Sequence, residues 1–492
     1  MSTEKIRKND MWLAVLKFVP LIIFALLVIV FRMDLLLAAP IATFCAIVVY
    51  MIVKRTSFDK AFEEGLQSVR KIVVVCFILM FAYGVAECFM ATGVGAALIK
   101  LALALGVTAR TVAVVALIVT CLLSVATGTA WGTFAACAPI FLWLNHLVGG
   151  DITLTLCSVA GGACFGNNIG MISDVTVLSC EMQNVRILDR IRHQGVWSFL
   201  CLLIAVAAIY AAGYHLPGAQ GDVVAAISQI PPEARAALAA ERPSALTLLS
   251  QVEAGVPYFM IIPLLVVIGL SFMGLHTLVC LASGMISSLA FGLIAGTTDL
   301  NVWFNELLLK GFGDAGSWTV VMMLWVAALG GIMNSMNAFE PLARLVVCIS
   351  RNVNQLMGWC GILSLLGNVA LADETAEVAT MSPIIRDITE KHVECADEEA
   401  AYTLRLRLAT HTASMGIYGS QLIPWHCFPV FFADIAGAVY PLRAFTPFDI
   451  IGHNYLSFIV VGSLVILSFT GWDRFIPKFG LPDKKRVRLR KI

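Results

Sequence analysis

Long apolar runs separated by short polar turns dominate the chain. Runs near residues 11–31, 33–53, 71–91, 195–213, 256–273, 275–296, 317–337 and 452–472 each have the length of one bilayer-crossing helix, which needs about 20 mostly apolar residues. Four others, near 111–148, 152–180, 355–384 and 408–436, are interrupted by glycines and polar side chains. Such interruptions mark discontinuous helices, because irregular backbone at membrane depth is tolerated only where it lines a protein-enclosed or watery cavity. The pattern predicts an all-α polytopic membrane protein with about 10–13 transmembrane helices. The first run, Met11–Phe31, has no evident small-residue cleavage site and is expected to be a helix rather than a removed leader.

The polar positions recur in two halves. Tyr83-Gly-Val-Ala-Glu-Cys-Phe-Met-Ala91 answers Gly330-Gly-Ile-Met-Asn-Ser-Met-Asn-Ala338, Ala136-Cys-Ala-Pro-Ile140 answers Thr380-Met-Ser-Pro-Ile384, and Cys164-Phe-Gly166 answers Ser414-Met-Gly416. The connections flanking them carry opposite charge. The stretch 54–71 has Lys54, Arg55, Lys60, Arg70 and Lys71, whereas its counterpart 297–317 has only Lys310. The stretch 181–194 has Arg186, Arg190 and Arg192, against Arg443 alone in 437–452. Basic residues favour the cytoplasmic side. Equivalent connections are therefore expected on opposite faces, in two inverted-topology repeats with discontinuous helices.

On this reading the chain divides into an N-terminal helix pair (1–56), a first repeat unit (57–213), an external polar insert (214–255), a linking helix pair (256–296), a second repeat unit (297–472) and a basic cytoplasmic tail (473–492). Both termini are expected in the cytoplasm of a multi-pass cell inner membrane protein. The tail Lys484-Lys-Arg-Val-Arg-Leu-Arg-Lys491 reads as a topology anchor. A charged loop is expected over 386–407.

Composition narrows the function. Only 13% of residues are charged, about half the share of a soluble domain. A net charge of +1 gives no reason to expect a nucleic-acid partner. The fourteen cysteines fall mostly within apolar runs, with neither CxxC pairs nor zinc spacing, and read as small buried hydrophobes. No HExxH is present and no GxSxG stands out, which weighs against an intramembrane hydrolase. The expected partners are the lipid bilayer and a small ion or small-molecule substrate, with room for a homodimer. No cofactor is expected.

The candidate chemistry sits in the interruptions. Thr127, Thr129 and Thr133 offer three hydroxyls around Gly128 and Gly132. Small-residue helix packing is the alternative, against which Trp131 argues. Asn167, Asn168, Ser173, Asp174 and Thr176 bring amide, hydroxyl and carboxylate oxygens together. A helix break capped by Ser173 or Asp174 explains one of these residues but not the others. Asp174 is the only acid between Asp151 and Glu181, and a carboxylate at the bilayer centre costs about 2.5–3.5 kcal/mol on insertion scales. In the second half, Asn368 precedes Asp373, Glu374 and Glu377, which read equally well as site residues or as a solvated helix end. A further break is expected at Gly416 and Gly419, with Ser420, Gln421 and His426 beside it. His426 is either a proton carrier or a buried neutral histidine. Glu87 and Glu340 read as helix-end residues.

Thr127-Gly-Thr-Ala-Trp-Gly-Thr-Phe134 with Pro139-Ile140, Phe165-Gly-Asn167, Ile172-Ser-Asp-Val-Thr-Val-Leu178 and Leu422-Ile-Pro-Trp425 follow one another in order. Together they resemble the signatures of NhaC-type sodium/proton antiporters, members of the ion-transporter superfamily of inverted-repeat carriers. The resemblance covers roughly residues 60–470. It implies a secondary carrier that exchanges sodium for protons, with some relatives assigned organic acids or amino acids. The chain departs from the family pattern at Asn167, where an aspartate is usual, at Gly170-Met171, where Ser-Pro is usual, and at His426, where an asparagine is usual. Losing one carboxylate removes a proton or cation site.

The expectation is therefore an antiporter with sodium ion and protons competing for a midplane site. Asp174 would be the principal carboxylate, and Thr129 and Asn168 would be its fellow sodium ligands. Thr127, Thr133, Asn167, Ser173, Thr176, Asn368, Asp373, Glu374, Ser420 and His426 would line the ion or substrate path. The rival is a sodium- or proton-coupled carrier of an organic carboxylate or amino acid, whose anionic group would face half-helix N-termini.

Overall fold

The computed structural model describes residues 3–171, 173–219, 223–315, 318–483 and 485–490. Ile172 of the second motif, and Lys484 and Lys491 of the tail, lie outside them.

Helices α1 (Thr3–Ala25) and α2 (Leu35–Lys54) pack together first. The chain continues through α3 (Phe58–Ala91), α4 (Val94–Ala104), α5 (Val112–Thr127), α6 (Ala130–Val148), α7 (Ile152–Ile169), α8 (Asp174–Gln183) and α9 (Ile187–Ala212). The insert read as a polar connection is itself helical, with α10 (Val223–Ser228), α11 (Pro232–Glu241) and α12 (Pro243–Ala254). Pro232 and Pro243 stand at the first position of their helices, where proline's missing N–H costs nothing. Helices α13 (Ile262–Phe272) and α14 (Thr277–Ala295) lead to α15 (Leu300–Val302), which runs through a π-helical stretch into α16 (Leu309–Asp314). Then come α17 (Trp318–Ser335), α18 (Glu340–Ile349), α19 (Val353–Leu371), α20 (Glu374–His392), strand β1 (Val393–Cys395), α21 (Glu398–Ser420), α22 (Cys427–Val439), α23 (Pro447–Gly452), α24 (Tyr455–Thr470) and β2 (Val487–Leu489).

The helices are apolar toward the outside. Leu37, Ile41, Phe44, Val48 and Ile52 form an exposed stripe along α2 at helical spacing, a face suited to lipid. Among the described residues, five helices are long and apolar enough to cross a membrane, or up to seven if each bent pair is one span. Five shorter apolar helices accompany them. The chain is thus a multi-pass, all-α membrane protein with discontinuous helices.

Two apolar runs read as interrupted spans turn back on themselves. The start of α5 lies beside the end of α6, where a Cβ on Gly150 would sit 2.8 Å from Val112. Helices α19 and α20 also run antiparallel, with Ser364 bonded to Glu377 and Val353 packed in one cluster with Ile388. Each is a hairpin that returns to the end it entered from. The reversal depends on a left-handed residue at each tip: Gly128 has φ 67° and Ala372 has φ 53°. Each is followed by an extended helix cap, Thr129 or Asp373, and by a proline ten positions after that cap, Pro139 or Pro383.

Two further expectations change. Helix α21 runs unbroken through Gly416 and Gly419, and its break is at residues 421–426. Those glycines serve close approach instead, since added Cβ atoms would press on Glu377 and Leu365. The stretch 386–407 is mostly helix, split by β1, and the tail folds back as β2 to pair with it antiparallel.

Contacts define the two ends of the bundle. At one end, Tyr402 accepts from the Arg186 backbone N–H at 3.1 Å, Arg386 donates to the Met182 carbonyl at 3.0 Å, and Ser335 donates to Glu64 at 2.6 Å. Phe339, Ala343 and Val346 pack there with Ile385 and Ile388. At the other end, Arg110 donates to Leu216, His146 meets Tyr440 at 2.8 Å, and Arg443 donates to Thr153 at 2.6 Å. Arg242 of the insert is buried there between Glu87 and Asp314. Glu340, by contrast, is exposed and pairs with Arg344.

Candidate functional site

Three of the chain's breaks meet at one cavity of about 570 Å³. The first hairpin tip contributes Gly128, Thr129 and Trp131, the α7–α8 break Asn167 and Asp174, and the second tip Asp373 and Glu374. Helices α3 and α17 close the other side with Ser68, Gly331 and Asn334. Thr375 and Thr380 continue the wall along α20.

The carboxylates share one local cause. At two of the three breaks an acid stands where the helix restarts: Asp174 is the first residue of α8, Asp373 the cap of α20, and Glu374 its first residue. Helix N-termini carry partial positive charge, which offsets part of the repulsion among three acids. Asp373 also accepts the Ala376 N–H at 2.7 Å as a cap. Asp174 is exposed to the cavity, while Glu374 is 4% exposed. Among the described residues, no lysine, arginine or histidine lines the cavity. The arrangement suits a partly dehydrated cation, for which carboxylate, hydroxyl and amide oxygens are hard ligands.

The other candidates lie around this group. Thr127 and Thr133 bond to each other at 2.6 Å, and Thr133 donates to the Thr129 carbonyl at 2.7 Å, stapling the first tip. Trp131 packs on Phe428 with ring centroids 4.6 Å apart and so joins that tip to α22. Ser173 caps α8 and donates to the Asn167 Oδ1 at 2.7 Å. Asn168 and Thr176 point away from the cavity into a buried network with Arg190 and Gln194. Ser420 donates to the Ile417 carbonyl of its own helix.

Asn368 lies behind the second tip. Its amide donates to the Met415 and Gly416 carbonyls at 3.0 and 2.8 Å, which turns its Oδ1 toward His426 Nε2 at 2.9 Å. His426 Nδ1 accepts the Phe428 N–H at 3.2 Å, so both ring nitrogens are engaged. Ligand atoms of Glu374, His426 and Cys427 lie within 4.8 Å of one another, all three side chains buried.

Sequence reasoning treated Arg190 as a surface topology charge, but it is fully buried. The signal was available. Arg190, Gln194, Trp197 and Cys201 fall on one helical face of α9, and that face points inward. Asn334 and Ser68 of the cavity wall were also missed, because single polar residues in long helices carry no pattern.

The chain is 23% identical over 378 residues, 72% of each chain, to the malate-2H(+)/Na(+)-lactate antiporter of Bacillus subtilis (strain 168). Residues 8–180 match the Na+/H+ antiporter family, a stretch that carries the first hairpin, the α7–α8 break and Asp174. That stretch is similar to the Na+/H+ antiporter family, and the two likenesses together support a secondary-active ion transporter of the membrane.

Proposed function

We propose that the protein exchanges sodium for protons by alternating access around the cavity at the hairpin tips. The observation that carries this reading is the cavity's charge: three carboxylates and, among the described residues, no basic side chain. Asp174 is the coupling group. Ionised, it holds sodium with Thr129 and Asn167 nearby; protonated, it releases the ion, so one site serves both in turn. Asp373 and Glu374 supply the opposite wall.

The two halves act as inverted repeats. The helix pairs Cys76–Ala91 with Val94–Ala104 and Val320–Ser335 with Glu340–Ile349 are each bent by 64°. Each pair precedes a hairpin with a left-handed tip residue. The hairpins enter from opposite ends. Connection 54–71 shares an end with 181–194, while 297–317 and 437–452 lie at the other. The end rich in basic residues is cytoplasmic, with both termini there. Ser68, Asn334 and Ile384 of the cavity wall lie toward that end, which makes this the inward-facing arrangement.

One observation favours a second reading. The cavity is far larger than a sodium ion requires, and the Bacillus subtilis relative is named for malate and lactate. An organic anion facing three carboxylates needs cations bound first, so coupling to sodium or protons survives in this reading. Transport in proteoliposomes, with sodium and pH gradients set independently, separates the two. Sodium-driven proton movement without any organic acid is the expected result. Movement only in the presence of malate or lactate would replace exchange with the second reading, and none under either condition would refute both.

A further inference from the structure

Two of the residues that sequence reasoning placed at the ion site or on its path, Asn168 and Thr176, already hold a cation. Arg190 Nη1 donates to the Asn168 carbonyl at 3.1 Å and to Thr176 Oγ1 at 3.0 Å, and Nη2 donates to Asn168 Oδ1 at 2.7 Å. Gln194 Nε2 reaches the same two Asn168 oxygens at 3.2 Å. Arg190 is 0% exposed. Among the described residues, no carboxylate forms an ion pair with it; its fixed charge is met by neutral oxygens alone.

Those oxygens form a cation cage by their position. Asn168 lies next to the last residue of α7, so its carbonyl is among the four that a helix end leaves unsatisfied, at the negative pole of the helix dipole. A hydroxyl and an amide oxygen complete the cage. The second half is built differently. There the carbonyls of Met415 and Gly416, within α21, accept from the neutral amide of Asn368. A buried guanidinium is costly unless its surroundings compensate it. Here the compensation comes from the kind of oxygen set that binds a hard metal ion.

We propose that Arg190 is a resident cation standing in for a mobile sodium ion in this cage, so that the exchangeable ion binds only at the hairpin-tip carboxylates. The inference deepens the exchange reading above by limiting where the exchangeable ion binds.

The test is thermal unfolding of the purified full chain in sodium chloride against choline chloride at constant ionic strength. Arg190→Gln empties the cage of its charge. It is expected to lose stability in choline and regain it with sodium, with the folded-to-unfolded ratio rising about elevenfold at sodium ten times its dissociation constant. Arg190→Lys keeps a tethered charge and should respond to sodium no more than the unmodified protein. Thr176→Val added to Arg190→Gln removes a cage oxygen and should erase the regained response.

An Arg190→Gln protein equally unstable in both salts, or unfolded in both, would overturn the proposal. So would a lysine variant as sodium-dependent as the glutamine one, or a response that survives Thr176→Val. The unmodified protein's own sodium response reports the hairpin-tip site. Its absence would count against the exchange reading, while the difference between the glutamine variant and the unmodified protein would still decide the role of Arg190.

Discussion

Gly166→Ala should disable transport by moving the first hairpin. Gly166 lies in α7 against α5, and a Cβ there would sit 1.9 Å from the Ser124 carbonyl carbon and 2.0 Å from the Val125 nitrogen. Real Cβ contacts essentially never fall below 3.0 Å, so α5 and α7 must separate by about the 1.1 Å between 1.9 and 3.0 Å. The obstruction is backbone, which no rotamer change relieves. Ser124 Oγ also bonds to the Ala163 carbonyl across this contact, and that bond must stretch or break. Overpacking of this kind costs about 1–3 kcal/mol of stability. The larger effect is positional. Thr129 lies five residues along from Ser124 at the tip and faces Asn167 and Asp174 across the cavity. Misplacing interacting groups by about 1 Å can cost about a hundredfold in rate. The assay is initial sodium-dependent proton flux in proteoliposomes, normalised to correctly inserted protein, with thermal unfolding of the same sample. Near-normal flux at near-normal stability would refute the claimed contact between α5 and α7 as the element that sets the tip.

Asp174→Asn keeps size and hydrogen bonding but cannot trade a proton for a cation; it should abolish sodium-driven proton flux while the protein still folds, and flux at the unmodified rate would move the coupling role to Asp373 or Glu374. Asp473→Ala strands Arg407, whose Nη2 lies 2.9 Å from Asp473 with side chains 0% and 2% exposed; removing one member of such a pair costs about 3–5 kcal/mol, and an unchanged unfolding midpoint would contradict it. The Arg486 hydrogen bond, followed by the Ala400 N–H, holds the Asp397 carboxyl below its ordinary value. A group whose pKa is depressed by folding stabilises the fold above its unfolded value, about 3.9, and loses that contribution as pH falls through the lower folded value. Amide exchange in β1 and β2 should therefore be slow and level from pH 8 to 5, after correction for intrinsic rates, and accelerate only below about pH 4; loss of protection at pH 6 would implicate another group.

The parts of the site legible in the sequence were those where polarity stands out against an apolar background. Asp174, Asn167, Thr129, Asp373 and Glu374 all interrupt apolar runs, and all line the cavity. Direction was not legible. Two crossing helices and one hairpin need the same apolar length, and the difference at 111–148 rests on a left-handed Gly128. At the second tip the left-handed residue is an alanine, which carries no turn signal at all. Gly416 and Gly419 misled for the converse reason: a glycine within a helix can serve a neighbour's approach as readily as a break. Arg190 was hidden by its company, since Arg186 and Arg192 nearby are not buried and only Arg190 falls on the buried face.

The strand pair has a consequence for the order of assembly. Cys395 pairs with Val487, so β1 and β2 close a loop of about 91 residues. Joining the ends of a flexible chain that long costs about 4 kcal/mol of entropy, more than a three-residue ladder at the protein surface supplies. The strands can meet only after α21 and α24 have packed and brought their ends together. The tail is therefore the last part of the chain to join the fold and the first to leave it, and protection of residues 487–489 is a sensitive gauge of whether the helices beneath are in place.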